Sequence, residues 1–473
     1  MRRLIHPGFS LNYSFFHSVG KNLIFVKNIC IITAMKRYGL TFALVMLLMG
    51  MTAGAHEIIK FNLKSSDRYY PGTEREIQVY VPDAYDGKTP ACLYVGLDGI
   101  LCNAPNVMDS LIAAGKMPVI IGIFLQPGVI KDSDSNVLRY NRSNEFDMTT
   151  GIFASFIENE LLPRVEQLTT AKGYPIKLSK RGADGMIFGL SSGGIAAFTA
   201  AWHRPDLFSR VFSGVGTFVA MRGGNDLQAI VRKSEPRPLR IFLQDGTNDV
   251  WNPLFGHWYE GNRMLASALD FAGYDVRYDW SDCNHGVKRA SEIFPEVMEW
   301  MWQSWPEAPK CGKTQNNLLD TMLVDGSEWR HEPFQSVPGL PEAIYPSGKL
   351  KAFVHDGTNC LWQSVISDAG EQCAQPFYWL HSYDNSQLTI SAMEFDAAGD
   401  LWVVTNAGIQ ICDQNGRVRG ILMLPHGVDA AEINQIKIED GEVALWSNKG
   451  VRYVRSFHVF GHKWNFPKSQ GQG

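Results

Sequence analysis

The chain carries little charge and no marked excess of one sign. Of its 473 residues, 19% are charged, and the formal net charge is -4. That balance excludes the basic footprint with which a protein follows a phosphate backbone, so no nucleic-acid partner is expected. Cysteine is sparse: there are eight, seven of them after Ala55, an odd number at a density too low for a disulfide scaffold. Cys92 with Cys102 and Cys360 with Cys373 are near neighbours along the chain, and no pairing is assigned to them. The apolar run at residues 40–51 is shorter than the roughly 20 residues a spanning helix needs, so no membrane span is expected.

That run has another meaning. Lys36 and Arg37 precede it and Ala53-Gly54-Ala55 follow it, which is the order of a secretory signal peptide over residues 35–55, cleaved near Ala55. His56 would then be the first mature residue, translation would begin at Met35, and residues 1–34 would be a mis-annotated extension. The product is expected to be exported, in soluble form, to the periplasm or beyond. No cysteine follows the apolar run closely enough to take a lipid.

A chain of this length exceeds one ordinary core, so two domains are expected. Five short apolar segments, at residues 75–82, 91–99, 118–125, 185–191 and 239–246, have the two-faced hydrophobicity of strands in a parallel sheet. Between them lie amphipathic stretches, one starting near Asp147 and one over residues 260–272 that stops at Gly273. Strand and helix in alternation give an α/β sandwich over residues 56–307. Residues 308–324 are polar and contain proline, as linkers do. From 325 to 465 the pattern is short strands separated by turns such as Asp413-Gln414-Asn415-Gly416, an all-β domain.

The chemistry concentrates on Gly189-Leu190-Ser191-Ser192-Gly193. A GxSxG run is weak alone and informative between a strand and a helix, where the serine sits on a strained turn and glycines admit the crowded backbone. Here "GMIFGL" reads as the strand and "SGGIAAFTAAWH" as the helix. A serine hydroxyl needs a base, and the base an orienting carboxylate. Downstream, Asp249 follows a strand and His285 follows a further helix and strand, which is the order the fold requires. Asp245, at the strand end, is the competing acid; His203 and His257 are the competing bases, His203 reading as a surface or capping residue. Ser192 N–H, at the helix start, and Ile100 N–H, after the Asp98-Gly99 turn, are candidate oxyanion donors.

Several of these segments together resemble the putative-esterase family of α/β-hydrolases, which includes feruloyl, acetyl-xylan and enterobactin-type esterases. They are "SSDRYYPGTEREIQVYVPDAY", the "LDG" loop, "NRSNEFD", "GLSSGG", "QDGTND" and the histidine loop. The resemblance implies an α/β-hydrolase sandwich with a mostly parallel sheet, Ser191 as nucleophile, Asp249 as acid, His285 as base, and Ile100 and Ser192 as oxyanion donors. It also implies a substrate contact at Asp98. Trp258 stands among aromatics (Trp251, Phe255, Tyr259) that would suit a sugar or phenolic ring. The stretch "SAMEFDAAGDLWVVTNAGIQICDQNGRVRGILMLP" resembles part of a gluconolactonase-type propeller. The C-terminal part is too short for six blades of roughly 40 residues, and Ser391 stands where that family places a metal-binding aspartate. No metal, no cofactor and no lactonase activity are therefore expected.

The function expected is an exported serine ester hydrolase that removes acetyl or hydroxycinnamoyl groups from plant polysaccharide, with an acylated oligo- or polysaccharide as its partner. Two alternatives stand beside it. One is a siderophore esterase with the same machinery; the other is a carbohydrate-binding protein with an inert hydrolase domain.

Overall fold

The computed structural model describes residues 56–333, 342–355, 359–383, 387–439 and 441–458. The extension and the signal peptide expected at residues 1–55 lie outside the described residues. From His56 onward the chain forms one compact unit.

The first part is built on a ten-stranded sheet. Its strands are β1 (Glu57–Lys64), β2 (Glu74–Val81), β3 (Cys92–Leu97), β4 (Ile120–Leu125), β5 (Val129–Lys131), β6 (Val137–Tyr140), β7 (Gly185–Leu190), β8 (Arg210–Gly214), β9 (Arg240–Asn248) and β12 (Asp275–Asn284). A two-strand hairpin, β10 (Trp251–Asn252) with β11 (Gly256–His257), stands between the last two. The sheet order is β12-β9-β8-β7-β3-β4-β2-β5-β6, with β1 on β2. From β12 to β4 every pairing is parallel. The pairings of β2 with β1, β4 and β5 are antiparallel, as is that of β5 with β6. The strand expected at 75–82 thus lies outside the parallel part, because the loop from β1 to β2 is too short for a crossover helix.

Helices cover both faces: α1 (Ala104–Ala113), α2 (Arg142–Phe146), α3 (Ile152–Phe156), α4 (Leu162–Glu166), α5 (Ser192–His203), α6 (Leu227–Lys233), α7 (Trp258–Ala272) and α8 (Val287–Trp302). A π turn at Ile157–Leu161 joins α3 to α4. The central strands β3, β4 and β7 are buried at every position, which explains their lack of alternation. α5 is buried from Ser192 to Trp202, so its apolar residues run all round it, as in a helix enclosed by its domain.

The segment expected as a linker contains a helix, α9 (Asn317–Met322), capped by the Asn316 side chain, which accepts from the N–H groups of Leu318 and Leu319. Its Leu318, Leu319 and Met322 enter the core of the C-terminal part. That part holds three four-stranded antiparallel sheets. Their strands are β13 (Arg330–Pro333), β14 (Glu342–Ile344), β15 (Leu350–Val354), β16 (Cys360–Ser367), β17 (Gly370–Trp379), β18 (Ile390–Phe395), β19 (Leu401–Thr405), β20 (Gly408–Cys412), β21 (Val418–Leu422), β22 (Ile433–Glu439), β23 (Glu442–Ser447) and β24 (Val451–Ser456). The first of these strands, β13, pairs with the last, β24.

The α/β part meets the edge strand β21 of one of these sheets. Ser234 bridges Ile421 of β21, and Glu235 N–H donates to the Ile421 carbonyl at 2.8 Å. Glu235 also takes Arg455 Nη1 at 2.9 Å, and Trp202 Nε1 donates to Tyr383 Oη at 3.0 Å. A strand edge capped this way offers no template for another chain. No disulfide joins the seven cysteines among the described residues.

Candidate active site

β7 runs straight at the start of α5, and Ser191 is the residue between them, at φ 59° and ψ -122°. A side chain rarely tolerates that conformation, so the surroundings must impose it. They do so by crowding. A Cβ on Gly189 would lie 2.2 Å from the Gly193 carbonyl oxygen, and one on Gly194 would lie 2.7 Å from Ser213 Oγ. Strand and helix approach this closely only with glycine at those two places, and the turn lifts the Ser191 hydroxyl clear of the sheet.

Asp249 and His285 reach Ser191 from the loops after β9 and β12. His285 Nε2 lies 2.9 Å from Ser191 Oγ, and its Nδ1 lies 2.6 Å from Asp249 Oδ1. The Asp249 side chain is wholly buried, whereas His285 keeps 28% of its side-chain surface. Burial opposes the charge on Asp249, but hydrogen bonds from His285 and Asp245 hold its carboxyl below the usual range. Trp258 lies edge-on to the His285 ring, centroids 6.2 Å apart.

The competing residues fall elsewhere. Asp245 lies beneath Asp249 with 0% exposure and makes no contact with His285 among the described hydrogen bonds. His257 sits on the β10–β11 hairpin. His203 is the half-buried last residue of α5: its Nε2 lies 2.7 Å from the Thr149 carbonyl, and burial pushes its imidazole down to about 4, so it is neutral near pH 7.

Two expected substrate contacts sit differently from the reading above. Trp258 is 6% exposed, with its Nε1 donating to Thr217 Oγ1 at 3.3 Å. It therefore backs His285 and is no open platform for a ring. Trp251, on the neighbouring hairpin, is 65% exposed and is the aromatic free to meet a ligand. The Asp98 carboxylate is occupied by Arg142, whose Nε and Nη2 donate to its two oxygens at 2.7 and 2.8 Å. Arg142 Nη2 also reaches the Leu190 carbonyl at 3.3 Å, tying the loop after β3 to the serine turn. Asp98 and Gly99 both take positive φ, which turns the chain so that Ile100 follows at the surface, 37% exposed. Ser192 is the first residue of α5, where a backbone N–H has no partner within the helix.

Arg142 went unrecognised in the sequence, although it stands in the "NRSNEFD" segment. So did its anchor. Glu145 accepts from Arg75 Nη2 at 3.0 Å, from Asn141 Nδ2 at 2.7 Å and from Gly128 N at 3.2 Å, and both side chains of the Arg75–Glu145 pair are fully buried. An acidic residue two positions before Asp147 offered no periodic signal by which to find it.

Residues 69–278 match the family model described as "Putative esterase". The matched region runs from just before β2 into β12, so it holds Ser191 and Asp249 and stops short of His285. It supports an esterase for this part of the chain. No curated protein matches the chain. Among solved structures, a ferulic acid esterase is similar at 17% identity and a TM-score of 0.39, over 53% of this chain and 99% of that one. The enterobactin esterase of Shigella flexneri is similar at 21% identity and a TM-score of 0.39, over 51% of this chain and 59% of its own. A feruloyl esterase module of Clostridium thermocellum is similar at 12% identity and a TM-score of 0.38, over 55% and 92%.

The α/β part meets the C-terminal sheets at the far end of α5, which at about 1.5 Å per residue is about 18 Å from the serine turn. A cavity of about 650 Å³ lies at that seam, lined from both parts by His203, Arg204, Asp206, Tyr383, Asn406 and His426. Within it Arg204 Nη2 reaches Glu158 at 2.6 Å and Asp206 at 2.7 Å, and His426 reaches Asp206 at 2.9 Å, while Arg237 sets its guanidinium over the Trp202 ring, 3.5 Å from the centroid. Ser191, Asp249 and His285 do not line it. In the C-terminal part, Ser391 Oγ is buried without a hydrogen-bond partner.

Proposed function

We propose that the chain is an exported serine carboxylic-ester hydrolase that works through an acyl-enzyme. The observation that carries this reading is the continuous path from Asp249 through His285 to Ser191, on a turn whose serine takes a strained backbone. His285 Nε2 removes the Ser191 proton as Oγ attacks the ester carbonyl, and Asp249 stabilises the imidazolium that forms. The negative charge that develops on the carbonyl oxygen is met by the N–H groups of Ser192 and Ile100. The imidazolium protonates the leaving alcohol. Water, deprotonated by His285, then releases the acid from Ser191.

The substrate we favour is an acetyl or hydroxycinnamoyl ester on plant polysaccharide. Its support is the exposed Trp251, close in sequence to Asp249, a flat apolar face of the kind on which sugar and phenolic rings stack. Export is inferred from the charged, apolar and small-residue order of residues 35–55. Comparing release of ferulate or acetate from xylan fragments with cleavage of a catecholate trilactone tests the substrate. Preferential cleavage of the trilactone would replace the polysaccharide with a siderophore.

Trp251→Ala is expected to raise KM for a feruloylated oligosaccharide about 5- to 10-fold with little change in kcat, because it removes a contact made equally in ground and transition states. The same variant should hydrolyse p-nitrophenyl acetate at the parent rate. Equal losses on both esters would place Trp251 in the fold and not on the substrate.

A further inference from the structure

The triad acid rests on a second carboxyl group that the mechanism above does not use. Asp249 Oδ1 accepts from His285 and from Val250 N–H. Its other oxygen, Oδ2, is buried with no N–H aimed at it. Such an oxygen needs a donor. Asp245, near the end of β9, stands four residues before Asp249 on a turn that Asp249 N–H closes on the Gly246 carbonyl at 3.0 Å, and the two carboxyl groups act on each other. Asp245 is 0% exposed. Gly246 N–H donates to its Oδ1 at 2.7 Å and Asn262 Nδ2, from α7, to its Oδ2 at 2.6 Å. No lysine, arginine or histidine pairs with it among the described residues.

The groups around Asp245 are therefore two neutral donors and one anion, Asp249, which His285 keeps charged. Two adjacent buried carboxylates repel strongly, and one of the two must hold a proton. His285 holds Asp249 in the ionised form. Burial, together with the hydrogen bond and charge of Asp249, pushes the Asp245 carboxyl well above the usual range.

We propose that Asp245 is a positioning residue for the triad: it stays protonated at neutral pH and donates its O–H to Asp249 Oδ2, which fixes the carboxylate that orients His285. The inference rests on reading Asp249 as the triad acid. Asp245 gives up no proton during the reaction and touches no substrate. Asn262, which donates to Gly216 O at 2.8 Å and to Trp258 O at 3.0 Å as well as to Asp245, holds the carboxyl in place from the helix side.

The sign of the pH effect follows. As pH rises through the raised value of Asp245, the group ionises, its O–H is lost and an anion appears beside Asp249. The plot of log kcat/KM against pH should therefore fall on its alkaline side. Asp245→Asn keeps an N–H donor for Asp249 Oδ2 and cannot ionise. It replaces one accepting oxygen with a donor, so it should act about 10-fold more slowly at pH 7, and its alkaline fall should vanish. Asp245→Ala removes the donor altogether and should lose about 10- to 100-fold.

Asp245→Asn has a readout besides activity. The infrared difference between wild type and this variant at pH 7 should contain the C=O stretch of one protonated carboxyl group. A wild-type alkaline limb that persists unchanged in Asp245→Asn, or a difference spectrum without that band, overturns the proposal. Ser191→Ala separates the two readings: if it retains wild-type rates the triad itself is wrong, whereas an inactive Ser191→Ala with an unchanged Asp245→Asn profile removes only the role given to Asp245.

Discussion

Ser191→Ala should lower kcat for p-nitrophenyl acetate by about 10⁴-fold or more while leaving the thermal transition within a degree or two of the parent. Without the hydroxyl there is no acyl-enzyme, and what remains is the modest rate that oxyanion donors and substrate binding give alone. The fold should tolerate the change. Ser191 Oγ makes one described hydrogen bond, to His285, and alanine at that position still carries a Cβ, so the strain of the turn is unchanged. Measuring initial rates and a melting curve on the same sample separates chemistry from folding. A rate within tenfold of the parent would place the nucleophile elsewhere.

The second large effect concerns stability. Glu145→Ala should destabilise the α/β part by about 3–5 kcal/mol in urea unfolding, because it leaves the buried Arg75 guanidinium without its carboxylate. Three groups lose their acceptor at once: Arg75, Asn141 and the Gly128 amide. The double variant Arg75→Met, Glu145→Leu should recover part of that loss, since it removes the unpaired guanidinium while Asn141 and the Gly128 amide stay without their acceptor. Activity should recover less. Glu145 anchors α2, which begins with Arg142 three residues before it, and Arg142 holds the Asp98 turn that precedes Ile100. Full recovery of both stability and kcat/KM in the double variant would contradict this link between the pair and the oxyanion loop.

The legible part of the site was the part written in local rules. Ser191 could be found because a strained turn demands glycine on both sides, and glycine at a strand-to-helix junction shows in sequence. Asp249 and His285 followed from the order of elements, and the structure brings both to Ser191. Contacts that depend on side chains meeting across the fold left no such trace. Arg142 meets Asp98 from 44 positions away, and Asn262 meets Asp245 from 17. Trp258 was expected on the substrate side because it stands in an aromatic cluster; which member of the cluster faces solvent is decided by the two-strand hairpin β10–β11, which leaves Trp251 exposed and brings the chain into α7 with Trp258 buried. The same limit applies to α9. Its six residues are too few for a periodic pattern, and it is helical because Asn316 caps it and the β-domain core receives its leucines.

The account places the nucleophile at one atom, Ser191 Oγ, and a fluorophosphonate tests that most directly, since it reacts with a serine only when a base and oxyanion donors activate it. After treatment, intact mass should show one adduct per chain, and peptide mapping should locate it on Ser191, with none on Ser191→Ala. An adduct at any other residue, or ester hydrolysis that survives complete labelling, would contradict the account.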